Sequence, residues 1–252
     1  MGVLGGTVAY RLLRTLNSDG ITRSATAPAY EGKSKLAALL GSTLIQDVHE
    51  KVVIDFGCGT GAEAIELAEL GAQRVIGIDI QEHYLAEARR RALAAGVGDR
   101  CQFETTASDA SADVIVSLDA FEHFVDPGEV LRTMHRMLAP DGVVVAAFGP
   151  TWYHPFGGHF FSVFPWSHLI FTERALIRWR SDFKSDGATR FEEVAGGLNK
   201  MTIARFERIV RESPLRLAHF EAVPIRAARM VATGLTREFT TSVVRCKLVP
   251  RS

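Results

Sequence analysis

The chain has 252 residues, 47% of them hydrophobic, and its 29 Lys and Arg balance 29 Asp and Glu. That composition supports a large core and excludes global disorder, and the length suits one α/β domain with insertions. A net charge of zero argues against a duplex nucleic-acid binder that relies on phosphate contacts, leaving Arg89-Arg90-Arg91 as a local basic candidate or a solvated helix face.

Cys58, Cys101 and Cys246 are widely spaced and show neither a zinc spacing nor a disulfide framework, which fits a reducing, cytoplasmic setting. The chain has no apolar run long enough for a membrane span, and its N-terminus does not read as a signal peptide.

Residues 1 to about 30 are poorly patterned and read as a loose arm with one short helix. Glu31 to Glu50 carries Leu36, Leu39, Leu40, Leu44, Ile45 and Val48 at helical spacing, so residues 1–50 form an arm and a helix ahead of the main domain, 51–252. From Lys51 the pattern alternates. Strands are predicted at 51–56, 73–78, 101–105, 113–118 and 142–148, and helices at 62–70, 81–95 and 127–138. Runs such as Val52-Val53-Ile54 and Val114-Ile115-Val116 are apolar on both faces, as a parallel sheet covered by helices requires. Asp126 and Pro127 read as the N-cap and first residue of their helix.

After Gly149 the rhythm breaks. Residues from about 150 to 200 form an aromatic-rich insertion, with Trp152, Tyr153, Phe156, Phe160, Phe161, Phe164, Trp166 and Phe171. Without clear periodicity it reads as a lid over an acceptor, a dimer interface or a core covering the sheet. Helices follow at 172–180 and 200–212, a strand at 215–223, a short helix at 225–233 and a last strand at 239–248. The two late strands suggest an antiparallel pair closing the sheet. Leu248-Val249-Pro250-Arg251 reads either as a thrombin-type cleavage sequence or as the end of that strand.

The stretch from Val52 to Gly61 carries the chemistry. A buried strand runs into Gly57-Cys58-Gly59-Thr60-Gly61, and a helix begins at once. Such a turn lets the backbone approach a ligand, with free N–H groups and the positive helix end nearby. Cys58 reads as a small turn residue rather than a catalytic thiol. Two spacings fit. Gly57, Gly59 and Ala62 match the dinucleotide pattern, whereas Gly57, Gly59 and Gly61 after Asp55 match another. Asp79, ending the second strand, can accept hydrogen bonds from ribose hydroxyls under either reading.

The stretch Asp113 to Pro127, with Glu122-His123 ahead of Asp126-Pro127, and the turn Ala139-Pro140-Asp141-Gly142 before Val143 complete the pattern. Together with the glycine turn and Asp79 they resemble class I S-adenosylmethionine-dependent methyltransferases of the type 11 kind. The resemblance implies a Rossmann-like, seven-stranded, mostly parallel sheet with an antiparallel last strand and helices on both faces. It implies S-adenosyl-L-methionine as cofactor. Gly57, Gly59 and Gly61 would line its methionine end, with Asp55 supporting the loop. Asp79 would hold the ribose, with Ile80 beside it, and Ser117 and Leu118 would face the sulfonium. The segment after the third strand is shortened, so the adenine contact falls to Thr106 or Asp109.

His123, His154 and His159 are the candidate bases for an acceptor that must lose a proton, and structural histidines are the alternative. A metal site is not expected, because His154, His159 and His168 have no obvious carboxylate partner. The expected acceptor is a small molecule or glycan, methylated at oxygen, and the expected assembly is a monomer or homodimer. The alternatives are an NAD(P)-dependent oxidoreductase and a cofactor-binding protein without catalysis.

Overall fold

The computed structural model describes residues 2–17, 34–40, 48–106, 112–194 and 196–251. Seven strands form one sheet: β1 (Val52–Phe56), β2 (Arg74–Ile78), β3 (Cys101–Glu104), β4 (Ala112–Leu118), β5 (Leu138–Phe148), β6 (Leu215–Pro224) and β7 (Thr241–Pro250). Their order is β3-β2-β1-β4-β5-β7-β6. β1 to β5 are parallel, and β7 pairs antiparallel with both β5 and β6. β6 therefore runs in the direction of β1 to β5, and the expected Rossmann-like sheet with its antiparallel strand is present.

The helices are α1 (Gly6–Leu16), α2 (Lys35–Leu40), α3 (Ala62–Glu69), α4 (Glu82–Ala94), α5 (Pro127–Met137), α6 (Ser167–Ile170), α7 (Glu173–Arg180), α8 (Ile203–Arg211) and α9 (Arg237–Thr240). Side chains alternate across the strands, so the central strands β1, β2, β4 and β5 supply two cores. Val53, Val75, Val114, Val116 and Val145 pack against α2, α3 and α4 through Leu36, Ala64, Leu85 and Ala88. Ile54, Ile76, Ile115 and Val144 pack on the other face against Leu131 and Met134 of α5 and Phe206 of α8.

Local chemistry sets the helix starts. The Asp126 carboxylate accepts the Glu129 amide at 3.0 Å, with Pro127 at the first turn, as the sequence indicates. Thr202 accepts the Arg205 amide, so the helix expected from residue 200 begins at Ile203. β5 begins at Leu138 rather than residue 142, because Leu138 pairs with Ala112 ahead of a register shift. β7 begins at Thr241, since Arg237–Thr240 winds into a helical turn, and Leu248 is buried in the core. Of the helix expected over 31–50, Lys35–Leu40 is helical; residues 31–33 and 41–47 lie outside the described residues, as do residues 18–30 of the arm, whose short helix is α1.

The aromatic segment builds a third core. Phe161, Phe171, Trp179 and Phe191 are almost fully buried and pack with Ala9 and Leu13 of α1. Burial of each such side chain contributes about 1.5–3 kcal/mol. Most of the aromatic signal is therefore structural, while Tyr153, Phe160 and Trp166 stay partly exposed. The basic run is also paired. Arg89 bonds Glu82 and the Phe103 carbonyl, Arg90 pairs with Glu87, and Arg91 holds the Thr60 hydroxyl and carbonyl. This is a solvated helix face whose last arginine braces the glycine turn.

Candidate active site at the carboxyl edge of the sheet

The glycine turn follows β1, and its three glycines do different work. All have positive φ, a region that L side chains rarely adopt. A Cβ on Gly61 would lie 2.8 Å from the Ala88 Cβ and 2.9 Å from the Phe103 ring, so Gly61 permits close packing of α3 on α4 and β3. A Cβ on Gly57 would lie 3.3 Å from Ala120. A Cβ on Gly59 would meet nothing within 4 Å, so Gly59 opens onto free space. Cys58 is buried, and burial pushes its thiol up, out of the reactive range.

Asp79 ties the turn to β2. Its carboxylate accepts the Gly59 amide at 3.0 Å and the Gln81 amide at 2.9 Å. Each carboxylate oxygen keeps further acceptor capacity for a ligand hydroxyl. Ile80 beside it is 89% exposed. Thr106 is also exposed, just beyond β3, and Asp109 lies outside the described residues.

Acidic side chains gather where β1 and β4 end. Asp55 is buried, and burial, reinforced by Glu63 and opposed by Lys35, raises its pKa to about 8. It takes the Ala64 amide at the start of α3, yet its Oδ2 has no partner among the described residues. Asp119, with φ of 48°, lies just past β4, and burial raises its pKa against the pull of Lys35. Lys35 of α2 reaches in, with Nζ 3.1 Å from Asp119 Oδ2 and 3.9 Å from Glu63 Oε1. Burial lowers the pKa of its ammonium, but Asp119 and Glu63 more than compensate, so the net shift is upward. The other Asp119 oxygen, Oδ1, is buried without a partner among the described residues.

Ser117 is fully buried and its hydroxyl donates to the Phe56 carbonyl, while Leu118 belongs to the core. What β4 presents at the edge is Asp119, Glu122 and His123. Glu122 accepts the Gly149 amide through Oε1 at 3.2 Å, and its Oε2 is buried without a partner among the described residues. Burial, with Asp119 nearby, raises the Glu122 pKa to about 8.

The histidines divide. His123 Nδ1 lies 2.9 Å from the Gly197 carbonyl, which can only accept, so Nδ1 carries the proton and Nε2 is the free acceptor of the neutral ring. His159 meets it edge to face, with ring centroids 5.4 Å apart. His159 has φ of 49° and a buried Nε2 without a partner among the described residues, and burial holds its pKa near 4. His154 is occupied locally, its Nδ1 accepting the Phe156 amide at 3.0 Å. His168 donates from Nε2 to the Trp152 carbonyl at 2.7 Å within the third core. Burial lowers both to about 4. Among the described residues no group of three or more His, Cys, Asp or Glu could hold a metal ion.

The sequence reading passed over Lys35, Glu63, Asp119 and Glu122 as site residues. Asp119 and Glu122 stood within the stretch it singled out, and Glu63 follows the glycine turn directly. A cleft of about 550 Å³, lined by Lys51, Asp113, Pro140 and Lys247 among others, sits at the opposite, amino edge of the strands. Ligands of open α/β sheets bind at the carboxyl edge, where the acids and histidines converge.

Residues 54–146 match the family described as "Methyltransferase domain". The chain is 36% identical over 104 residues to a ubiquinone biosynthesis O-methyltransferase of Neisseria meningitidis, covering 39% of this chain and 44% of that protein. It is 43% identical over 102 residues to a ribosomal protein L11 methyltransferase of Pasteurella multocida, covering 39% and 33%. The chain thus spans less than half the length of these relatives. Magnesium protoporphyrin IX methyltransferase of Synechocystis, solved with S-adenosylhomocysteine bound, shares the fold with a TM-score of 0.56 at 16% identity, over 97% of this chain and 95% of that one.

Proposed function

We propose that the chain is a class I S-adenosylmethionine-dependent methyltransferase that methylates an oxygen of a small-molecule or glycan acceptor. The observation that carries this reading is the acidic end of β1 and β4. Asp55 Oδ2 and Asp119 Oδ1 are buried without partners among the described residues, beside a turn whose Gly59 faces open space. Orphaned buried acceptors are costly, and a cationic ligand relieves them. An α-amino group and a sulfonium supply the needed charge, so these residues fit S-adenosylmethionine.

In this reading the backbone at Gly57, Gly59 and Gly61 borders the methionine end. Asp55 and Asp119 answer the positive charge, Asp79 takes the ribose hydroxyls, and Ile80 and Thr106 border the adenine. S-adenosylmethionine supplies an electrophilic methyl group when bound; the chain supplies position and proton transfer. His123, its tautomer set by Gly197, takes the acceptor hydroxyl proton at Nε2. His159 stands edge-on to His123 in the same wall, and His154 orders the turn leading to it.

The relatives named above act on different kinds of acceptor, a quinone precursor and a ribosomal protein, so the oxygen assignment rests on His123 and its open nitrogen. The test is transfer of a tritiated methyl group from S-adenosylmethionine to a panel of phenols, sugars and proteins. Label in a phenol or sugar as a base-stable ether supports the reading. Label in protein alone, or cofactor binding with no transfer to any acceptor, overturns it.

A further inference from the structure

β6 brings a second feature to the edge that holds the site. Phe148 of β5 pairs with Val244, and Val244 pairs with Ala222 of β6, so the three stand in one row across the sheet. Asp119 donates its amide to Ala147, one residue before that row. The segment joining β6 to β7, residues 225–240, therefore leaves the sheet at the same edge as the acidic cluster, three strands from β4.

This segment exposes what a monomer ordinarily hides. Met230 is 99% exposed and Leu235 95%, with Val231 and Phe239 also outward. The Phe239 ring lies 5.2 Å from that of Tyr153, and the Trp166 indole N–H donates to the Tyr153 carbonyl, so two further part-exposed aromatics continue the surface. Internal hydrogen bonds shape the segment. Ile225 donates to Thr240, Ala228 to Ile225, and Thr233 to the Thr236 hydroxyl, around a 3-10 helix at Arg226–Val231.

The charges on the segment are mostly basic, three arginines to one glutamate. From Ile225 to Arg237 there are three arginines and no acid. Arg237 is neutralised by Glu207, and Glu238 turns inward to accept the Ile203 and Ala204 amides. Arg226 and Arg229 are exposed and form no ion pair among the described residues. Long apolar side chains standing clear of the surface, half-exposed Trp and Tyr, and free arginines together have the chemistry of a lipid interface.

We propose that the segment 225–240 docks this edge of the chain on an anionic lipid bilayer. Met230 and Leu235 enter the acyl boundary while Arg226 and Arg229 meet headgroup phosphates. The charge favours an anionic bilayer over a neutral one, and two nearly fully exposed side chains favour insertion over a flat protein contact. Among the described residues no helix is long and apolar enough to cross a membrane, so the chain lies on the bilayer by this surface. Where the proposed methyl transfer holds, the site faces the bilayer and its acceptor carries a lipophilic part. That clause alone rests on the methyltransferase reading.

The test is co-sedimentation of the full chain with vesicles of equimolar phosphatidylcholine and phosphatidylglycerol, and with vesicles of phosphatidylcholine alone. It needs neither cofactor nor acceptor, so its failure is distinct from failure of the methyltransferase reading. We expect binding to the anionic vesicles, weakened about tenfold or more by M230D/L235D and by R226E/R229E, with the wild-type binding lost at high salt. Circular dichroism and S-adenosylhomocysteine affinity should be unchanged in both variants. Absence of wild-type binding to anionic vesicles, or equal binding by M230D/L235D, overturns the proposal. So does a concentration-dependent dimer that M230D/L235D dissolves without any vesicle binding, because the surface would then belong to a second copy.

Discussion

The Lys35 ammonium stands 3.1 Å from an Asp119 carboxylate oxygen, joining the short helix α2 to the loop after β4. It is the one lysine or arginine ion-paired to the cluster of Asp55, Glu63 and Asp119 among the described residues. Lys35→Met leaves those carboxylates uncompensated. Both partners keep partial solvent access, 28% and 18% of the side chains, so the loss is expected near about 1–2 kcal/mol rather than that of a fully buried pair. Urea unfolding of Lys35→Met measures it, and Lys35→Arg should recover part of the loss.

The glycines separate folding from binding. Gly61→Ala forces a Cβ into Ala88 and Phe103 at a left-handed position, which should cost about 1–3 kcal/mol beyond the backbone strain. Gly59→Ala meets open space within the protein, so its cost is the left-handed strain alone, about 1–2 kcal/mol. Its Cβ projects where the cofactor would lie. Thermal melts should therefore show Gly61→Ala as the less stable protein, while S-adenosylhomocysteine titration should show the larger loss for Gly59→Ala relative to its stability.

Stability should peak in the weakly acidic range. Asp55 and Glu122 have pKa values raised to about 8, so their contribution is fully present below their unfolded values and is lost as pH rises through 8. His154, His159 and His168 have values lowered to about 4, so their contribution is present above the unfolded value and is lost as pH falls through 4. Between the unfolded histidine value of about 6.5 and pH 8 the carboxylates act alone and stability declines with pH. Below about 6.5 the three histidines outweigh the two acids and stability declines toward acid. Melting temperature against pH gives the curve, and Glu122→Gln should flatten its alkaline limb.

His123 is the expected base. His123→Ala should lower kcat by about 10²–10⁴-fold while leaving S-adenosylhomocysteine affinity intact. Equal turnover by His123→Ala would reduce its ring to a prop for the Gly197 loop.

The parts legible in the sequence were those encoded locally. The continuously apolar strands β1, β2 and β4, the glycine turn and the Asp126-Pro127 helix start each depend on neighbours within a few residues, and each stands within a residue of where the sequence indicates. Lys35 was illegible because its role arises when α2 packs beside the ends of β1 and β4; its own sequence shows only a helical apolar face. The aromatic segment misled in another way. Its side chains bury against α1 from loops and short helices, so no period marks Phe161, Phe171 or Phe191 as core. His154 and His159 sit close in sequence, yet one bonds its own turn and the other faces His123, a difference set by backbone conformation.

The most direct measurement of the central claim is calorimetric titration of S-adenosylhomocysteine into the chain and its Asp79→Ala variant. The account predicts one site per chain, no heat with NAD, and a loss of about 10²-fold in affinity in Asp79→Ala, as removal of charge-assisted hydrogen bonds to two hydroxyls implies. Absence of binding, or equal affinity of the variant in a folded state, would contradict it.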